Sequence, residues 1–597
     1  MADATPGSKA GLRRVRIALA ASLAVALVLA TSIGPMWYQA LVPTATQRAI
    51  HAGALRSVLV AHALVLLASS GAIGAAALAS GRARRDGRRR PRWAVAALAA
   101  GVSGLMAVGL VEAGAAGYRA WIHRMPGLAM ESAPGPDPAT LTVLAVGESS
   151  ALGEPYHPKI SVAQMVAWKL GEVFPGRKVA VEFCAVGGMS LEGAHALLAR
   201  VGRRPDVMVV CSGHNEFQAR FSWERNTTYY LDDPLRPDPS RLADLARAIS
   251  PLADVVLETV ERQRVDVAPP PKATRTLIDV PCFTEPERAS MVADFGRRLG
   301  AIAGACRRMG VVPVLVIPVG NDAGFDPSRS VLDSATPRGD RDRIAVEFQA
   351  IRDREADHPD EAIAGYRALL DRQPRFAEAH FRLARLAEAR GDNVEARDRY
   401  HRARELDSMP MRCPDDFQDA YRVAAADNDS VVLIDSPKLF AGLSPRGLTS
   451  DHLLHDAQHP TLLGYMAQAQ QVLDEMARRG SLNWPKGTPA PILDADACVA
   501  HFQIDRPAWT SVCGNVANFY RKIAYIRFDP RERLNLEQTW LKATAAIENG
   551  ALPESLHLPG LGRRPTENPA ADPRPVPPLP GPPIEANPAS LTNEAGR

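Results

Sequence analysis

Cysteine is sparse, with seven thiols in 597 residues and no CxxC pair. That spacing excludes a zinc knuckle and a disulfide-dense secreted scaffold. Cys184 and Cys211 lie in apolar, strand-like runs and read as small core residues. Cys498 and Cys513 are free to pair if the domain is exported, which the sequence leaves open. An excess of one charge is missing too. Lys and Arg total 70 against 66 Asp and Glu, a net +4, so no global field points to nucleic acid. No metal or organic cofactor is implied. No serine is flanked by glycines as in the sharp GxSxG turn, which argues against an α/β-hydrolase fold.

Long apolar runs, by contrast, are present at the front of the chain. Residues 17–38, 54–80 and 93–118 are rich in Ala, Gly and Leu, and each is about the length needed to cross a hydrocarbon core. A signal peptide is the competing reading of the first run, since Lys9, Arg13, Arg14 and Arg16 precede it. It has no clear cleavage site, and two further runs follow. The expectation is therefore an N-terminal three-helix membrane segment. Basic residues set its orientation: the stretch GRARRDGRRRPR at 81–92 and the Lys9–Arg16 cluster should both stay cytoplasmic. Three spans then place everything after Arg119 outside the cytoplasm, on the periplasmic side of the cell membrane.

After the linker APGPDP (133–138) the pattern changes to strands alternating with helices. Apolar runs at 141–147, 178–186, 206–213, 311–319 and 430–435 read as strands, and helical spacing is found at 162–174, 191–201, 241–264, 287–309 and 462–478. Strands apolar on both faces predict an α/β domain built on a parallel sheet with helices on both faces. Sites in such sheets lie beyond the carboxyl ends of the strands. Ser149, Gly188, Asn215 and Asn321 all stand just past such ends.

Between the fourth and fifth strands, AEAHFRLARLAEARGDNVEARDRYHRARELD carries Leu383, Ala384, Gly391, Ala396, Tyr400 and Ala403 at tetratricopeptide spacing. DEAIAGYRALLDRQP before it fits half of another repeat. So short a run cannot form a free solenoid. It is expected to pack on the sheet domain and cover the site. The boundaries read as a membrane segment (1–120), a linker (121–140), the sheet domain in two parts (141–340 and 409–480), and the helical insertion (341–408). A C-terminal helical extension (481–557) without visible chemistry and a Pro-rich tail (558–597) follow.

A serine at a strand end is ordinarily a turn residue or a cap. Ser149 in GESS becomes a nucleophile only if a base, a group that orients the base, and oxyanion donors accompany it. HDAQHP places Asp456 and His459 three apart, so one turn can hold the carboxylate against the imidazole. CAVGGMS ends the second strand with a glycine pair, and SGHNEF ends the third with Asn215. Arg412 in MPMRCP returns the chain to the sheet. It reads as a surface ion pair or as a contact for an anionic substrate group.

As a set these blocks resemble the SGNH hydrolases, also called GDSL esterases. GES resembles the GDS block, with Glu148 for Asp. GHNE resembles the GxND block, with Glu216 for Asp. DAQH resembles the DxxH block. The resemblance covers about 142–478 and is greatest to a bacterial branch with GHNEF, a helical-repeat insertion and a segment like PVGNDAGFDPSRS. It implies a flavodoxin-like sheet, Ser149 as nucleophile rather than Ser150, His459 as base and Asp456 as its partner. It also implies an oxyanion hole from Ser149, Gly188 and Asn215. Asn321 and Arg412 are expected near the substrate from their positions alone. Ser150 is expected to cap the following segment. The activity implied is hydrolysis of acyl esters, acetyl among them, on envelope glycans or lipids. An O-acyltransferase with the same triad and a non-catalytic scaffold binding a protein partner through the repeat-like helices remain the alternatives.

Overall fold

The computed structural model describes residues 45–122, 129–217, 246, 249–253, 255–256, 283, 285–333, 336–524, 526–527 and 529–556. The first apolar run, the Pro-rich tail and most of the helix expected at 241–264 lie outside the described residues. The chain divides into two compact units, residues 1–125 with 236–269, and residues 126–235 with 270–597.

The first unit contains helices α1 (Ala45–Arg85) and α2 (Arg92–Ile122). Their segments Val60–Arg85 and Arg92–Gly117, 26 residues each with mean hydropathy 1.8 and 2.2, are long and apolar enough to cross a membrane. Small residues let the pair approach closely, since a methyl group at Gly101 or Gly104 would collide with Ser69. Near one end of the pair, the Glu112 carboxylate lies 2.9 Å from His62 Nε2 and accepts hydrogen bonds from Ser250 Oγ and Leu252 N.

The second unit holds a five-stranded sheet of β1 (Thr140–Gly147), β2 (Lys178–Ala185), β3 (Val207–Cys211), β4 (Val312–Val316) and β5 (Val432–Ile434). The order is β2-β1-β3-β4-β5 and every pairing is parallel. Alternation along the strands feeds two cores. Leu144, Val146, Met208, Val210 and Leu315 pack with α5 (Leu191–Leu197), α6 (Glu285–Met309) and α11 (Asp415–Ala426). Val143, Val209, Val314, Val432 and Ile434 pack with α4 (Val162–Val173) and α13 (Leu462–Arg479) on the other face. Both faces are thus covered, as two-sided apolar strands require. Helix starts follow local chemistry: Ser161 and Thr461 accept from the N–H three residues on, at Gln164 and Gly464. Each such cap is worth about 1 kcal/mol.

The insertion is two helix pairs, α7 (Arg338–Arg352) with α8 (Pro359–Arg372) and α9 (Ala377–Ala389) with α10 (Asn393–Glu405). Sequence spacing had not marked α7, whose polar face is dense in Arg and Asp. Phe381, Ala384 and Ala387 pack on Ala396, Tyr400 and Ala403, the positions of the repeat spacing. After α12 (Ser436–Leu443) and α13, the extension supplies α14 (Ala495–His501), α15 (Arg506–Ala524) and α16 (Arg531–Glu548). Val516, Tyr520, Ile523, Trp540 and Ile547 of the α15–α16 pair are part of the main core. Cys498 and Cys513 are free, buried thiols that belong to different hydrophobic clusters.

A buried ionic network joins insertion, extension and the segment 318–330. Glu378, fully buried, accepts from Arg382 at 3.1 Å and from Arg527 at 3.2 Å, and Arg382 also reaches Glu355 and Glu532. Arg527 and Arg533 converge on Asp326, at 2.8 and 3.0 Å. Such a network specifies geometry more than it adds stability, but removing one partner strands the others. The Arg527→Ala variant is expected to lose about 3–5 kcal/mol. The exposed Arg390, paired with Asp360, should lose under about 1 kcal/mol as Ala. Denaturation midpoints of the detergent-purified chain measure both.

Candidate active site

Three turns at the carboxyl ends of β1, β2 and β3 meet. Gly147 ends β1 at φ 141°, and a methyl there would overlap the Cys211 carbonyl oxygen, so glycine lets β1 and β3 close up. Glu148 follows, fully buried, and accepts from the N–H groups of His214 at 3.0 Å and Asn215 at 3.1 Å. Burial pushes the Glu148 carboxyl up to about 8, partly offset by those two donors. Glu216 repeats the device, accepting from Leu191 N at 2.8 Å and Ser212 Oγ at 3.3 Å, and burial pushes it up to about 7. The two acids that stand where the resembled family has aspartates therefore lace the three turns together.

Ser149 opens the short helix α3 (Ser149–Leu152). Its Oγ lies 2.8 Å from His459 Nε2, and His459 Nδ1 lies 2.7 Å from Asp456 Oδ2. The other Asp456 oxygen accepts from the N–H of Gln458 and of His459, both at 3.0 Å. With Nδ1 facing a carboxylate, the proton belongs on Nδ1 and the Nε2 lone pair faces the serine hydroxyl. Ser149, His459 and Asp456 are 5%, 6% and 1% exposed. Burial pulls the His459 imidazole down, but the charge and hydrogen bond of Asp456 outweigh it and hold it above the ordinary histidine value. Burial likewise raises Asp456, and the His459 charge with the donated N–H groups brings it below the usual carboxylate range.

Ser150 does not act as a cap: its Oγ donates to the Gln458 carbonyl at 3.3 Å, bracing the histidine loop. Gly188, at φ 79°, lies in the turn after β2, and Val186 N of that turn donates to Gly147 O at 3.3 Å. A methyl at the adjacent Gly187 would come 4.0 Å from Ser149 Cβ. The Asn215 side chain is 5% exposed, with no hydrogen-bond partner for Nδ2 among the described residues. Structure thus brings Ser149, His459, Asp456, the Gly187-Gly188 turn and Asn215 into one place.

The two residues expected at the substrate, Asn321 and Arg412, are both buried. Asn321 is fully buried. It donates from Nδ2 to Asp451 at 2.7 Å, accepts from Gly324 N, and joins Ala457 O through its own N–H at 2.9 Å. Arg412 is 1% exposed and donates from Nη1 to the carbonyls of Asn321 and Phe325. Asn321 ties 318–330 to the Asp456 loop, and Arg412 ties the same segment to the chain that returns from the insertion. The insertion was expected to cover the site, but the ring against His459 comes from α15, where Phe519 stands edge-on at 5.4 Å. Tyr156 and His455 brace the same loop: Tyr156 Oη lies 2.7 Å from His455 Nε2 and accepts from Leu462 N. No short motif marks Phe519, Tyr156 or His455, because their roles arise from contacts across hundreds of residues or from a helix whose spacing only signals packing. His401, Glu405 and Asp415 offer ligand atoms within 4.8 Å of one another. Arg404 already pairs with both carboxylates, so the group reads as an ion-paired cluster.

No family model, curated protein or solved structure matches this chain. The His459 imidazole is expected to titrate above the free value of about 6.5 in histidine NMR spectra of the purified chain. In Asp456→Asn burial acts without its counter-charge, and the same resonance should titrate below that value.

Proposed function

We propose that this chain is a membrane-anchored serine esterase of SGNH type, hydrolysing acyl esters outside the cytoplasm. The observation that carries the reading is the continuous relay Ser149 Oγ–His459 Nε2 and His459 Nδ1–Asp456, at 2.8 and 2.7 Å. The unpartnered side-chain amide of Asn215, whose backbone N–H donates to Glu148, the residue before the nucleophile, supports it. The membrane anchor rests on the two apolar helices, and the extracytoplasmic placement on the basic loop 81–92. The α7–α10 insertion is read as tetratricopeptide-like, a surface open to a protein partner.

In this mechanism Ser149 Oγ attacks the ester carbonyl carbon while His459 Nε2 takes its proton. Asp456 holds the tautomer and stabilises the imidazolium. The N–H groups of Ser149 and Gly188 and the Asn215 amide receive the charge on the carbonyl oxygen. Collapse breaks the bond to the leaving alcohol, which takes the proton from His459. Water then attacks the acyl-serine, giving its proton to His459, and the acid leaves as Ser149 regains its hydrogen. The base must be neutral to begin, so kcat/KM rises with pH through the raised His459 value and levels above it. An acyl transfer to a sugar hydroxyl instead of water uses the same residues.

A fluorophosphonate probe tests the proposal on the detergent-purified chain. Label is expected on Ser149, retained in Ser150→Ala and abolished in His459→Ala. Asn215→Ala should slow turnover of a p-nitrophenyl ester by roughly a hundredfold or more. Absence of label on folded protein would overturn the esterase reading.

A further inference from the structure

We propose that Phe519 of α15 limits the acyl group accepted at Ser149 to short chains, acetyl foremost. The proposal rests on the esterase reading and names the substrate class of that site. Along α15, Val516, Tyr520 and Ile523 are buried in the main core, which fixes the helix rotationally. Phe519 is only partly buried, and its ring meets the His459 imidazole edge-on at 5.4 Å and 82°. An aromatic ring on a rigid element thus stands against the catalytic imidazole. On the sheet side the Gly187 backbone closes in, with room for a methyl only 4.0 Å from Ser149 Cβ. The nucleophile between them is 5% exposed.

On this proposal an acyl chain leaving the carbonyl carbon meets Phe519: a methylene that fits an apolar pocket is favoured, and one that does not must displace the ring. The edge contact alone is also compatible with Phe519 merely steadying His459. That role would affect every ester alike, whereas a wall affects long chains only.

The test compares p-nitrophenyl acetate, butyrate and hexanoate on the full chain in detergent, for the parent and for Phe519→Ala and Phe519→Leu. The parent is expected to prefer acetate. Phe519→Ala should raise the hexanoate-to-acetate ratio of kcat/KM by about tenfold or more. Phe519→Leu should fall between, and serves alone if the alanine variant does not fold. An unchanged ratio overturns the proposal, and so does a uniform fall across the three esters. A parent that turns over none of them and takes no fluorophosphonate at Ser149 overturns the esterase reading first and this one with it. A parent that is labelled but prefers hexanoate overturns this proposal alone.

Discussion

A hydrogen bond of 2.8 Å joins Ser149 to His459 across 310 residues of sequence. The rest of the domain is arranged so that this distance holds. Ser149 is fixed to the end of β1, at the centre of the parallel sheet beside β3. His459 is fixed to the loop entering α13, which packs on the face below. Any slip of one against the other would leave a buried imidazole and a buried carboxylate without partners, a costly outcome in a low-dielectric interior. Hence the histidine loop is held from several sides: Ser150 to Gln458, Tyr156 to His455 and Leu462, and Asn321 to Ala457.

Glu148 and Glu216 act on the other half of the site. A carboxyl one methylene longer than aspartate reaches from one turn to the backbone N–H groups of the next, so the turns after β1, β2 and β3 move as one piece. Burial keeps these acids easier to protonate than free ones. Their backbone donors offset the cost of placing them there.

Beyond the sheet, the segment 318–330 is the common anchor. Asp326 takes two arginines of the extension, the backbone of Ser328 and Arg329 donates to Asp407 after the insertion, and Asn321 meets the histidine loop. Insertion, extension and site loop therefore share one strip of chain. This explains why two residues expected at the substrate, Asn321 and Arg412, turn out to be buried supports: polar residues past a strand end look alike in sequence whether they face the cleft or the loop beneath it.

By itself the sequence determined the α/β class, the strands to within a few residues, the apolar character of the two described N-terminal helices, and the placing of Asp456 one turn from His459. These follow from local rules: two-sided apolar strands, the length of apolar runs, and a carboxylate and imidazole one turn apart. Only the tertiary structure decided which serine meets the histidine, that Asn321 and Arg412 are buried, and that α15 carries the ring against His459. Each of these depends on where distant segments come to rest. Helical periodicity tells that Val516, Tyr520 and Ile523 are buried. It does not say what lies beyond the helix edge, and that is where Phe519 meets His459.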